Sequence, residues 1–142
     1  SPVDQLTSGA FKPVLADTAI EPAQARRIVL ASGKVAYDAI GARDGRSLPV
    51  PVVRIEQLYP WPERIIDEVL SRYEHATEVV WLQEEPENMG AWPFVHDRLH
   101  RLLRDRFELR HVSRARSASP ATGSQTVHLH EQQELLDRAL DI

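Results

Sequence analysis

The sequence predicts an α/β domain: a small, doubly wound, mainly parallel sheet with helices on both faces. Three observations predict it. Four short runs rich in β-branched or apolar residues recur at 26–32, 50–57, 77–83 and 108–115. Each is followed by a stretch whose apolar residues return at helical spacing, and Gly, Pro or Asp-Gly stands at many of the junctions. Strand and helix signals that alternate in this way build βαβ units, and right-handed crossovers then cover both faces of the sheet. A chain of 142 residues with 42% hydrophobic and 27% charged residues is long enough to bury an independent core.

Residues 1–25 hold three prolines and no sustained period, so they read as an extended leader from a preceding domain, with 26–142 as the C-terminal α/β domain. RRIVLAS is the first strand, and Gly33 marks its turn into a helix over 33–43 that places Val35, Ala36, Ala39 and Ile40 on one face. Asp44-Gly45 and Pro49 read as a loop. VPVVRIEQ is a buried strand. Pro62 suits the first position of a second helix carrying Ile65, Ile66, Val69, Leu70 and Tyr73. TEVVWLQ is the third strand. A third helix begins near Trp92-Pro93 and repeats through Phe94, Val95, Leu99, Leu102 and Leu103. ELRHVSRA is the fourth strand, SASPATGS a turn-rich loop, and 128–141 a closing helix through Leu129, Leu136, Ala139 and Leu140. In a parallel sheet the carboxyl ends of all strands share one edge. Ser32-Gly33-Lys34, Gln57–Pro60, QEEPENMG and RSASPATGS therefore converge there, which makes that edge the place for a site or an interface.

Composition narrows the function. A net charge of −4 argues against general nucleic-acid binding. No apolar run approaches the roughly 20 residues of a membrane span, and no signal peptide is evident. The absence of Cys excludes disulfides and Cys-ligated metals and fits a reducing, cytoplasmic setting. The chain starts Ser1-Pro2 rather than Met, as a processed piece or an excised domain would. Seven Arg stand between Arg98 and Arg116 against Asp105 and Glu108. Either they solvate a helix face or they bind an anion or partner. Arg98 and Arg101 on the helix, with Arg114 and Arg116 beside Ser117, Ser119 and Thr122, are the candidates for the second role.

Catalytic motifs find little support. There is no GxGxxG, no GxxxxGK[ST], no HExxH and no GxSxG. His96 and His100 share a helical face but lack the accompanying ligand pattern. Glu84 and Glu85 look like an acid/base pair, yet adjacent strand residues point to opposite sides and would not share a proton. Gln83, Glu84, Glu85, Asn88, Gly90 and Trp92 are better candidates for structural hydrogen bonds or interdomain contacts. No catalytic, cofactor or metal ligand is assigned within this chain.

Four phrases and the tail then carry a resemblance. SGKVAYD (32–38), VVRIEQLYPWP (52–62), VVWLQEEPENMGAW (79–92), SASPATG (117–123) and the later HLHEQQELLDRAL resemble the C-terminal portion of the 2-oxoglutarate dehydrogenase E1 family. The leader, LTSG with FKPVL, is similar to the segment that enters that domain. Departures are small: Ala31 and Leu82 stand where members commonly have Cys, and Met89 where many have Gln. The resemblance implies a bacterial, cytoplasmic E1 subunit of the citric acid cycle complex. Such a subunit decarboxylates 2-oxoglutarate with thiamine diphosphate and magnesium and transfers succinyl to the lipoyl domain of the E2 succinyltransferase. It implies that the cofactor's GDG motif and the catalytic histidines lie in earlier domains, at an E1 homodimer interface. This transketolase C-terminal-like domain would then pack on its neighbours and hold no cofactor itself. Some relatives respond to acetyl-CoA or AMP, and the Arg-rich segment is a candidate contact for such an effector. Two other readings compete: a freestanding α/β module that binds such an effector at its sheet edge, and the same domain from another thiamine enzyme. QEEPENMG favours the oxoglutarate branch.

Overall fold

A computed structural model describes residues 9–119 and 125–141. Its sheet has five strands: β1 (Val14–Leu15), β2 (Arg27–Ala31), β3 (Val52–Ile55), β4 (Glu78–Pro86) and β5 (Glu108–Arg114). Their order is β1-β3-β2-β4-β5, all parallel except the edge strand β1, which runs antiparallel to β3. Between them lie α1 (Lys34–Arg46), α2 (Glu63–Leu70) and α3 (Trp92–Leu103), and α4 (Gln125–Leu140) follows β5. The doubly wound α/β architecture expected from the alternation is thus the observed one.

The sheet separates two apolar cores. Alternate residues of one strand feed different layers, because successive side chains of a strand leave on opposite faces. Ile28 and Leu30 of β2 with Val79 and Trp81 of β4 meet Ile66 and Leu70 of α2 and Val95 and Leu99 of α3. Val29 and Ala31 with Val80 and Leu82 meet Val35, Ala36 and Ala39 of α1 and Leu136, Ala139 and Leu140 of α4. β2 is fully buried along its length, as a central strand covered on both faces must be. Each fully buried aliphatic side chain of this kind contributes about 1.5–3 kcal/mol of transfer free energy.

Boundaries differ from the sequence reading at several places, and the second helix stops at Leu70, short of Tyr73. Val14–Leu15, inside the stretch read as a leader, adds a strand to the sheet edge, pairing with Ile55 and Arg54. α1 runs through Asp44-Gly45, which the sequence marks as a loop, to Arg46. The helix ends at Ser47, left-handed at φ 52°, where the Leu48 N–H donates to the Arg43 carbonyl at 3.2 Å. Arg43 is 2% exposed and anchors this extra turn from inside. β4 continues past Gln83 to Pro86, so both carboxylates of the EEP phrase lie on the strand. α4 starts at Gln125, earlier than the expected 128.

An ionic knot closes the amino ends of the strands. Arg27 and Glu78 face each other across β2 and β4, and the Arg27 guanidinium donates to the Glu78 carboxylate. Arg27 also donates to the Ala139 carbonyl at 3.2 Å, at the carboxyl end of α4, where a cation is favoured. Arg110 donates to the other Glu78 oxygen at 2.8 Å. Burial alone would raise the Glu78 pKa, but the hydrogen bonds and charges of Arg110 and Arg27 outweigh it and hold the carboxyl below its ordinary 4.5. A depressed carboxyl contributes stability above its unfolded pKa and loses it as pH falls through the folded value. Glu78→Gln is therefore expected to cost about 2–4 kcal/mol at pH 7, since it leaves Arg27 buried without its counter-charge. Urea unfolding at pH 7 and again below pH 4 checks this. The gap between variant and parent should narrow in acid, and a gap independent of pH would refute the assignment.

Candidate functional site

The chain winds outward in opposite directions from the adjacent strands β2 and β4, with β3 beyond one and β5 beyond the other. Loops leaving the carboxyl ends of such a central pair diverge and open a crevice. A cleft of about 440 Å³ lies there, lined among others by Gly33, Tyr59, Trp81, Gln83, Glu85 and Phe94. Three of the four loops expected at this edge contribute to its wall. The fourth, RSASPATGS, is joined to them through Ser117 and Asn88. Among the described residues no group of three or more His, Asp or Glu is arranged to hold a metal ion.

Gln83 organises the site. Its amide is 3% exposed and spans three elements. The oxygen accepts from the Trp81 indole N–H at 3.1 Å and from the Trp92 backbone N–H at 2.8 Å. Trp92 is the first residue of α3, so Gln83 satisfies a helix-start amide that has no partner within the helix. The nitrogen donates to the Met89 carbonyl at 2.8 Å and to the Pro86 carbonyl at 3.0 Å. One side chain thereby fixes the path of the whole PENMGAW turn. Buried amides satisfied on both ends rigidify what surrounds them, because an unmet partner in low dielectric is costly.

A bulge makes room for this arrangement. From Leu82 to Pro86 β4 advances four residues, while its partner β5 advances two, from Val112 to Arg114. The two carboxylates diverge. Glu85 lines the cleft with Trp81 and Gln83, whereas Glu84 belongs to the other face, within electrostatic reach of Lys34. Gly90 has φ 65°, and a Cβ there would stand 2.9 Å from Glu85 Oε2, so a glycine serves both the backbone conformation and the space.

The outer side of the turn is tied to the end of β5. Asn88 Nδ2 donates to the Ser117 carbonyl at 3.0 Å, and the Ser117 N–H returns a bond to Asn88 Oδ1 at 3.1 Å. Arg114 donates from Nε to the Glu84 carbonyl and lies 3.7 Å from Glu131 of α4. Arg116 donates to Glu87 at 3.1 Å, which holds that carboxyl below its ordinary range. Trp92 stacks on His111 of β5, with centroids 4.4 Å apart and planes inclined by 15°. Burial pushes the His111 pKa down, and Arg138 and His96 push the same way against Glu87, which favours the neutral form of the stacked ring.

The remaining Arg candidates do not gather at one point. Arg98 lies over the Phe94 ring at 3.9 Å and donates to the Phe94 carbonyl at 2.7 Å. Arg101 is exposed on α3. The Ser119 N–H donates to Ser117 Oγ at 3.1 Å. Thr122 lies outside the described residues. His111 and Glu87, which frame Trp92 and Arg116, were not singled out by sequence reasoning. The alternation of β5, which places His111 on the same side as Leu109, was the available signal for the histidine.

A family model described as "2-oxoglutarate dehydrogenase C-terminal" matches residues 1–140. Proteins named "2-oxoglutarate dehydrogenase E1 component" are similar along the chain. The one from Exiguobacterium sp. is 39% identical over 145 residues, covering 99% of this chain. Those of Cupriavidus necator and Haemophilus influenzae are 38% and 37% identical over 98% and 99% of it. The chain spans about 15% of the length of each of these relatives.

Proposed function

Because the chain belongs to the 2-oxoglutarate dehydrogenase C-terminal family, we propose that it is the assembly domain at the carboxyl end of an E1 subunit. The complete polypeptide then decarboxylates 2-oxoglutarate with thiamine diphosphate and magnesium and passes succinyl to the lipoyl domain of an E2 partner. Within that subunit this domain packs against the remaining E1 domains and supports an E1 homodimer, while the chemistry is done elsewhere. The observation that carries the assembly role is the Gln83 amide. Its oxygen and nitrogen are committed to Trp81, Trp92, Met89 and Pro86, and it shapes a surface at the switch point of the sheet instead of presenting a reactive group.

The residues present do not fit thiamine diphosphate. The Gly-Asp-Gly motif that the resemblance associates with the cofactor does not occur in the sequence. A single calorimetric comparison tests the proposal. Thiamine diphosphate with magnesium, titrated into this chain, is expected to give no saturable heat, and the longer polypeptide that carries it is expected to bind. Tight magnesium-dependent binding by the chain alone would overturn the assembly role.

A further inference from the structure

Glu85 occupies an unusual position for a carboxylate. It is half-buried on the wall of the cleft between β2 and β4 and packs against Gly90, whose missing side chain leaves it room. Among the described residues its carboxylate makes no hydrogen bond and no ion pair. The cations that the same loops bring to this edge are engaged elsewhere. Lys34 is bonded to Asp38 at 2.7 Å, Arg114 to the Glu84 carbonyl and Arg116 to Glu87 at 3.1 Å. A carboxylate drawn partly out of water without a partner costs free energy that an arriving cation would recover.

The rest of the cleft suits one kind of cation. Three aromatic residues line it: Trp81, which is fully buried, Phe94, whose ring already carries Arg98, and Tyr59, 83% exposed, the ring open to an arriving group. Aromatic faces beside a carboxylate favour a guanidinium, which stacks with its plane and donates along its edge. The fold already pairs cations with rings in this way, Arg98 over Phe94 and Arg54 over Tyr37 at 4.8 Å. We propose that this cleft is a socket for one basic side chain, preferably Arg, presented by an earlier domain of the same longer polypeptide, with Glu85 as its counter-ion and Tyr59 as its lid. This deepens the proposed assembly role and rests on it, because the chain matches a C-terminal family and spans about 15% of its relatives, whose remaining polypeptide can present such a residue.

Photocrosslinking in the longer polypeptide tests the socket. Tyr59→p-benzoylphenylalanine places the probe at a position exposed enough to accept it. Irradiation and peptide mapping are expected to yield a peptide that precedes this chain and contains Arg or Lys. Glu85→Gln, which keeps the shape and removes the charge, should abolish most of that product. Glu85→Arg combined with substitution of the captured basic residue by Glu should restore it. Capture of a peptide with no basic residue, capture only of another protein or of a second copy, or a product unchanged in Glu85→Gln would each overturn the inference. Thiamine-dependent turnover of 2-oxoglutarate, measured on the unmodified polypeptide, separates the two claims. Absent turnover refutes the proposed function, whereas normal turnover with no capture of a basic peptide refutes the socket alone.

Discussion

Replacing Asp17 by Ala is expected to lower the unfolding free energy of this chain by about 3–4 kcal/mol, a large fraction of the 5–15 kcal/mol typical of a domain. Asp17 lies two residues beyond β1 and outside any helix or strand, yet its carboxylate is 6% exposed and bonded to the guanidinium of Arg43, itself 2% exposed. The same carboxylate accepts the Val52 N–H at 2.8 Å and the Ala19 N–H at 2.9 Å. It thus joins the segment after β1 to α1 and to the start of β3. Removing it leaves Arg43 buried with Asp44, whose side chain is 60% exposed, as its remaining carboxylate partner, and orphans a strand amide. Urea denaturation measures the loss. Asp17→Asn, which keeps an acceptor for Val52 and drops the charge, should fall between the two. A loss below about 1 kcal/mol for the Ala variant, the range of exposed ion pairs, would show that this pair is not a structural anchor.

Gln83→Ala is expected to cost about 2–4 kcal/mol, because the Trp81 indole, the Trp92 amide and the Met89 and Pro86 carbonyls lose their shared partner together. Water entering from the adjacent cleft offsets part of that loss, which keeps it below the sum of separate bonds. Gln83→Glu is the sharper variant. It retains acceptors for both Trp donors but points a second oxygen at two carbonyls, so it should destabilise at pH 7 and recover as the carboxyl is protonated in acid. Tryptophan fluorescence during denaturation reports both, since Trp81 and Trp92 contact the amide directly. Equal stability of the Glu variant and the parent at pH 7 would contradict the assigned bonding.

The order of elements was legible because it rests on local signals. Val79, Val80, Trp81 and Leu82 form an uninterrupted apolar run, and α3 buries Val95, Leu99 and Leu103 at the helical period. Strand β1 was not legible, since two residues cannot display a period of two. Asp17 and Arg43 stand 26 positions apart, and an Arg on an amphipathic helix ordinarily faces water. Asp44-Gly45 has the composition of a turn, and tertiary anchoring of Arg43 overrides that local preference. At the site, the divergence of Glu84 and Glu85 followed from strand geometry alone. The role of Gln83 did not, because three of its four main partners are backbone groups, which no side-chain pattern records. Gly90 was legible as a turn residue, but the reason no larger residue fits, the Glu85 side chain above it, is tertiary.

In the proposed assembly role the WLQEEPENMGAW stretch holds its neighbours together and does no chemistry. Glu84→Ala in the longer polypeptide tests it most directly, because Glu84 belongs to the carboxylate pair that looks like an acid/base couple in the sequence. Single-turnover decarboxylation of 2-oxoglutarate, measured beside the thermal midpoint and the oligomeric state, gives the answer. The chemical step is expected to proceed at a rate close to the parent's, with any loss traceable to stability or assembly. A chemical step abolished while midpoint and assembly stay unchanged would contradict it.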